Sequence, residues 1–262
     1  MIDVHHHCLP DVDDGPHDWD EAMALCRMSA EQGIETIVAT PHVLRGRWKN
    51  TSRAELQSRL DELQRRIGPS PRLLLGSEYF FAHDINEALA GGTIVPLAGS
   101  RYVLIEFASN NIPPMVEQPL YRMQLDGWIP LIAHPERNTV FQAKPELLIA
   151  LMQQGARTQI TTASFAGRFG DKAKHAALDW LRRGMVNLVA TDAHNTTKRP
   201  PVVAEARKIV AEATNEAIAE ALFVENPRAL IEGRAFVYEP ELPYPTEKSP
   251  FLSRLKRFLG AS

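Results

Sequence analysis

Six short apolar runs in this sequence end on residues that can hold a metal ion. His5 and His7 close the first, His42 follows the second (VATPH) and Glu78 the third (LLLGSE). Glu106 closes the fourth (YVLIE), His134 the fifth (IPLIAH), and Asp192 with His194 the last (NLVATDAH). Imidazole nitrogens and carboxylate oxygens gathered in one place suit divalent ions such as manganese, iron, zinc or cobalt. Buried without partners, such groups cost on the order of several kcal/mol, a cost that a shared metal cluster removes. Water bridging such ions gives hydroxide at neutral pH. That hydroxide can attack phosphorus in line while the ions neutralise the equatorial oxygens.

A guanidinium would grip the same oxygens with two prongs, which an ammonium cannot do. Arg137, three residues past His134, is the first candidate; an ion pair with Glu136 is its ordinary alternative. Arg45 and Arg47, just past His42, stand either at the mouth of the site, ready for an acidic peptide, or on a solvated loop. The sequence offers no general acid for the leaving group. A thiolate route is not expected, since neither Cys8 nor Cys26 is followed by the arginine of a Cys-x5-Arg phosphate loop.

The elements that must position these residues alternate between strand and helix. Strands are expected over residues 2–4, 36–39, 72–75, 102–105, 128–133, 158–162 and 186–190. Helices are expected between them. The clearest is DWDEAMALCRMSAEQG, with Asp18 as its cap, Glu21 completing a capping box, and Gly33 at its stop. Trp19, Met23, Cys26 and Ala30 should line its buried face. Residues 52–67, 146–154, 172–183 and 202–213 are further helices. Parallel strands need such crossovers, so the class is α/β, either a closed or distorted barrel or an open doubly wound sheet. In either, the strand ends that carry the histidines and acids share one edge. Residues i and i+2 of a strand share a face, which pairs His5 with His7 and turns His6 away. His6, His83 and His175 are read as structural.

The chain has 262 residues, 44% hydrophobic and 23% charged, with a net charge of -3. That length suits a single large domain, and the balance argues against nucleic acid as a partner. Two cysteines make no disulfide framework, MIDVHHHCLP does not read as a signal peptide, and no apolar run spans a bilayer. A cytoplasmic location is expected.

In order, DVHHHCLPDVDDG, TPHV, GSEYF, IEF, AHPER and TDAHN resemble the polymerase-and-histidinol-phosphatase (PHP) superfamily, most closely its bacterial capsule-system branch of metal-dependent protein-tyrosine phosphatases. The resemblance runs from Met1 to about Gly233, where VENPRALIEG resembles the family's ending. It implies a distorted seven-stranded, TIM-like (β/α) barrel over residues 1–240 with two or three divalent ions, often manganese. It also implies hydrolysis of phosphotyrosine on the tail of a membrane-anchored tyrosine kinase that governs capsule or exopolysaccharide synthesis. Carried over by position, His5, His7, Glu78 and Asp192 would hold the first ion. Glu78, Glu106 and His134 would hold the second, and Asp14, His42 and His194 the third. His6 stands where a small residue is usual, Val43 where a second histidine is frequent, and Asp11 where glycine is common. The last of these leaves the roles of Asp13 and Asp14 open.

Two rivals use the same residues. A small-molecule phosphomonoesterase acting on histidinol phosphate or a nucleotide would share every ligand. A non-catalytic metal-binding protein would close its metal shell with protein groups. Residues 241–262 read as a Pro-rich tether and a short amphipathic helix, with Phe251, Leu252, Leu255, Phe258 and Leu259 at helical spacing among Arg254, Lys256 and Arg257. That helix would pack on the barrel or another subunit, or make a weak contact with anionic membrane lipid.

Overall fold

A computed structural model describes residues 1–242. Nine strands appear: β1 (Ile2–His6), β2 (Thr36–Ala39), β3 (His42–Val43), β4 (Arg72–Leu75), β5 (Glu78–Phe80), β6 (Tyr102–Glu106), β7 (Ile129–Ala133), β8 (Arg157–Thr161) and β9 (Leu188–Ala190). They form two sheets, ordered β1-β2-β4 and β3-β5-β6-β7-β8-β9. Every strand-to-strand pairing among the described residues is parallel. The class is therefore α/β as expected.

The expected strands 36–39 and 72–75 form as β2 and β4, and each is followed, after a break, by a short strand that was not expected. Between β2 and β3 lies Pro41, which has no N–H to give a ladder; its carbonyl instead accepts from the Glu78 amide at 3.1 Å. Between β4 and β5 lies Gly76, where a Cβ would sit 2.8 Å from Leu97 and 3.0 Å from Val38. Only glycine fits that approach. The two sheets meet at β1, where the Asp192 amide donates to the His5 carbonyl (2.8 Å) and the His7 amide to the Ala193 carbonyl (2.9 Å).

Both faces of the strands are buried, as parallel sheets require. Leu104, Leu131 and Leu188 pack on one side with Val4 and Val38. Val103, Ile105, Ile132 and Val189 pack on the other, under the helices. The helix Trp19–Glu31 is capped by Asp18, which accepts from the Glu21 amide at 2.9 Å. Glu21 completes the box one residue early, accepting from the His17 amide. Its buried face is Ala22, Leu25, Cys26 and Ser29, with Trp19, Met23 and Ala30 only half-buried. The stripe is thus rotated from the one expected, and its Ser29 Oγ meets His6 Nε2 at 2.9 Å. The helix Arg53–Ile67 buries Leu56, Leu60 and Leu63 and leaves its charged residues outside.

Candidate metal centre

The strand ends bring all nine proposed ligands together. Glu78, fully buried at the start of β5, lies at the centre. Its Oε1 is 2.9 Å from His134 Nε2 and 3.4 Å from His5 Nε2. Its Oε2 is 2.9 Å from His42 Nδ1 and 3.4 Å from His7 Nε2. Asp192 Oδ1 lies 3.3 Å from His5 Nε2 and 3.5 Å from His7 Nε2. Asp14, half exposed at the rim, puts one oxygen 3.2 Å from His42 and 3.3 Å from His194. Glu106 closes the far side, 3.9 Å from His42 and 4.0 Å from His134.

Of these contacts only the one between His134 Nε2 and Glu78 Oε1 is a hydrogen bond. Among the described residues, His42 Nδ1, Glu78 Oε2, Glu106 Oε2, Asp192 Oδ1 and His194 Nε2 are buried without a bonded partner. Four overlapping sets have donor atoms within 4.8 Å of one another: His7-Asp14-His42-His194, His5-His134-Asp192, His5-His7-Glu78 and His42-Glu78-Glu106. Unpaired lone pairs converging at that spacing fit divalent ions, because one cation can take several of them at once.

A further layer orients the rings. His5 Nδ1 meets Gln159 Oε1 at 2.7 Å, His7 Nδ1 meets Asp13 Oδ2 at 2.7 Å, and His194 Nδ1 meets the Asp192 carbonyl at 3.0 Å. Each bond assigns the proton to Nδ1 and leaves Nε2 to face the cluster. Asp13 and Asp14 differ in where they point. Asp14 points into the donor set, while Asp13 also accepts from the amides of Gly15 (2.9 Å) and His42 (3.1 Å). Gly15 must be glycine there, since a Cβ would fall 2.6 Å from the His7 carbonyl. His134 and Asp192 both hold left-handed backbone (φ 33 and 53), strain of the kind functional sites retain.

Electrostatics follow from crowding. Burial, with Glu78 alongside, pushes the Glu106 carboxyl up to about 7. Burial alone would lower His42, but the Glu78 and Asp14 carboxylates override it and raise the ring to about 9. Burial and the Arg137 charge lower His134 to about 3; burial and His7 lower His194 to about 4. Despite burial, Arg137 and Arg199 hold Asp192 well below the usual carboxylate range.

Arg137 Nη2 lies 2.5 Å from Asp192 Oδ2, its guanidinium 4.5 Å over the Phe169 ring. Its alternative partner, Glu136, is instead buried against the Ser164 hydroxyl and the Thr161 amide. Arg45 reaches the cluster, with Nε 3.0 Å from Glu106 and Nη1 2.6 Å from His42. Arg47 does not. Arg45 and Trp48 pair across a tight turn, leaving Arg47 exposed at its tip against the Trp48 indole. His6, His83 and His175 are in none of these four donor sets.

Sequence reasoning missed Arg199, Gln159 and the role of Asp13. Arg199 Nη2 lies 2.6 Å from Asp192 Oδ2, and Nη1 is 3.7 Å from Asp14. The turn that delivers it had a signal: Asn195 accepts from the amides of Thr197, Lys198 and Arg199, the kind of turn an asparagine favours.

Fold and site define a class, a parallel α/β protein with a buried cluster of histidines and carboxylates, fit for divalent metal, where its strands end. The sequence pattern of the family described as "Capsular polysaccharide synthesis, CpsB/CapC" matches residues 1–232. The chain belongs to that family, in keeping with the resemblance its motifs carry. It is 35% identical over 251 residues to the tyrosine-protein phosphatase YwqE of Bacillus subtilis, covering 95% of this chain and 98% of that protein. A crystal structure from work on YwqE and on CpsB of Streptococcus pneumoniae, described as unique metal-dependent tyrosine phosphatases, matches with a TM-score of 0.89. Its identity is 35%, covering 94% of this chain and all of that one. A histidinol phosphate phosphatase from Lactococcus lactis, solved with zinc, L-histidinol and phosphate, shares the fold at 14% identity. Its TM-score is 0.50, over 82% of this chain and 94% of that one.

Proposed function

We propose that this chain is a metal-dependent protein-tyrosine phosphatase acting on the phosphotyrosine tail of a tyrosine kinase that governs capsule or exopolysaccharide synthesis. The observation that carries it is the Glu78-centred donor cluster with three guanidiniums, of Arg45, Arg137 and Arg199, directly on its rim. The relatives named above support the same reading. His5, His7, Glu78 and Asp192 would hold one ion, Glu78, Glu106 and His134 a second, and Asp14, His42 and His194 a third; manganese is the metal we favour. Divalent ions bound there supply charge neutralisation for phosphate and a nucleophile from water at neutral pH.

The chain's own groups do the rest. Arg137 and Arg199 share Asp192 Oδ2, so that oxygen is held outward while Oδ1 faces His5 and His7. Their remaining N–H groups bind and orient the phosphate oxygens. Arg45 pairs with Glu106 beside His42 and forms the other wall of the mouth. A phenolate leaves more easily than an alkoxide, so the reaction on phosphotyrosine makes less demand on a general acid.

We read the fold as a distorted seven-position barrel. The ring would run β1, β2 with β3, β4 with β5, β6, β7, β8, β9, and return to β1 through the Asp192–His5 bond. Residues 1–240 form the phosphatase domain in this reading. The proposed tether and amphipathic helix at 241–262 fall almost wholly outside the described residues and rest on the sequence alone. A weak membrane contact there would hold the enzyme near a membrane-anchored kinase. Co-sedimentation with anionic liposomes at low salt, comparing the full chain with one ending at Lys248, tests that contact; equal recovery in the supernatant rejects it. No helix among the described residues is long and apolar enough to cross a membrane. Cys8 and Cys26, both buried and free, accord with a reducing cytoplasm.

The test of function compares a phosphotyrosyl peptide with histidinol phosphate, using protein stripped by chelator and protein reloaded with manganese. Turnover of the peptide should vanish on stripping and return on reloading. Preference for histidinol phosphate would support the small-molecule reading instead, and no turnover of either would support a purely metal-binding role.

A further inference from the structure

One short turn follows β7 and carries two working side chains, the ligand candidate His134 at its start and Arg137 at its end. Between them Glu136 is completely buried, yet it belongs to none of the four donor sets. We propose that Glu136 is a positioning residue for Arg137: it ties this turn to the end of β8 and so fixes the guanidinium at the place where it meets phosphate. The inference rests on the phosphatase reading and assigns a residue to its clamp.

Three observations carry it. The first is the tie itself. Glu136 Oε1 accepts from the Ser164 hydroxyl at 2.6 Å and from the Thr161 amide at 3.1 Å. A carboxylate holds such donors more tightly than a neutral acceptor does, and a buried one is costly without them. The second is that the same segment supports the arginine. Beyond Ser164, the Phe169 ring lies against the Arg137 guanidinium, whose carbon is 4.5 Å from the ring centre. Residues 161–169 thus hold Glu136 and Arg137, neighbours in sequence, together. The third is that the turn needs holding. It starts from left-handed backbone at His134 (φ 33) and is a single 3₁₀ turn, closed by the Arg137 amide on the His134 carbonyl and the Asn138 amide on the Pro135 carbonyl (both 3.0 Å). Such a turn is weak on its own. Asn138 anchors its far end, donating to the carbonyls of Ala108 and Asn111 beyond β6. Glu136 supplies the anchor at β8. A displacement of about 1 Å in a clamping group can cost on the order of a hundredfold in rate.

A double-mutant cycle on the manganese-loaded full chain tests this, with phosphotyrosyl-peptide turnover and metal content measured on each protein. Glu136→Ala should lower kcat by about 10–100-fold at parental metal content. Added to Arg137→Ala, it should lower kcat by less than about twofold more, because no guanidinium remains to be aimed. Glu136→Gln keeps an acceptor for both donors and should restore most of the turnover. Ser164→Ala removes one of the two bonds with a minimal change of shape, so it tests the same tie if Glu136→Ala does not fold. It should cost several-fold with Arg137 present and nothing without it. An equal loss from either alanine variant with and without Arg137, or no loss from either with Arg137 present, would overturn the proposal and leave the phosphatase reading intact. A metal-loaded parent that does not hydrolyse the peptide would overturn that reading, and this proposal with it.

Discussion

His7 and Asp13 are joined by a 2.7 Å bond between Nδ1 and Oδ2, and this bond aims the other ring nitrogen at Glu78 and Asp192. Asp13 is therefore a positioning residue at the metal centre. Asp13→Ala should weaken metal binding by about 10–100-fold, as loss of such outer partners generally does. Competition against a chromophoric chelator would measure it, and parental affinity would assign Asp13 to loop structure alone.

Arg137 presents a fork where lysine would present a point. Arg137→Lys should keep the metal content and lower turnover by about a hundredfold, the scale seen for lost transition-state donors. Unchanged kinetics would make the Asp192 and Phe169 contacts purely structural.

Metal uptake should release protons. His42 is raised to about 9 in the ion-free protein, so at pH 7 its ring is protonated and must lose that proton to become a ligand. Burial would lower His5 and His7, but the surrounding carboxylates raise both, His7 well above its ordinary value. His134 and His194, lowered to about 3 and 4, are already neutral and add nothing. Apparent affinity should thus climb with pH towards about 9. Calorimetry in buffers of different ionisation enthalpy reads the release directly; a pH-independent affinity between 6 and 8 would refute it.

Asp3 holds the turn that carries Asp192. It is fully buried and accepts from the Thr191 amide (3.0 Å), the Thr191 hydroxyl and the His5 amide (3.4 Å). Asp3→Ala strands these donors, at a cost of about 2–5 kcal/mol in denaturant unfolding. A loss below about 1 kcal/mol would show that water or a local shift replaces the carboxylate.

Much of the centre was legible because strand parity and strand ends are written locally. His5 with His7, and the turn away of His6, follow from a period of two. The breaks before β3 and β5 were not legible, since strands of two and three residues are too short to show a period. Nor was Gln159, whose partner lies 154 residues away in sequence and is met only through the fold, and Arg199 reaches Asp192, seven residues back, through the Asn195 turn. The polar Gln159 within the buried strand β8 was a signal that went unread. Arg47 lies away from the cluster for a local reason. It follows Arg45 by two residues, but the intervening Gly46, at φ 56, belongs to a turn whose tip faces solvent.

The most direct test of the account is Asp192→Ala, assayed for bound metal and for phosphotyrosyl-peptide turnover on the same folded preparation. Asp192 faces His5 and His7 with one oxygen and Arg137 and Arg199 with the other, so its removal opens the cluster and frees its arginines together. The account predicts a soluble protein with reduced metal content and no measurable turnover. Full activity in that protein would contradict it.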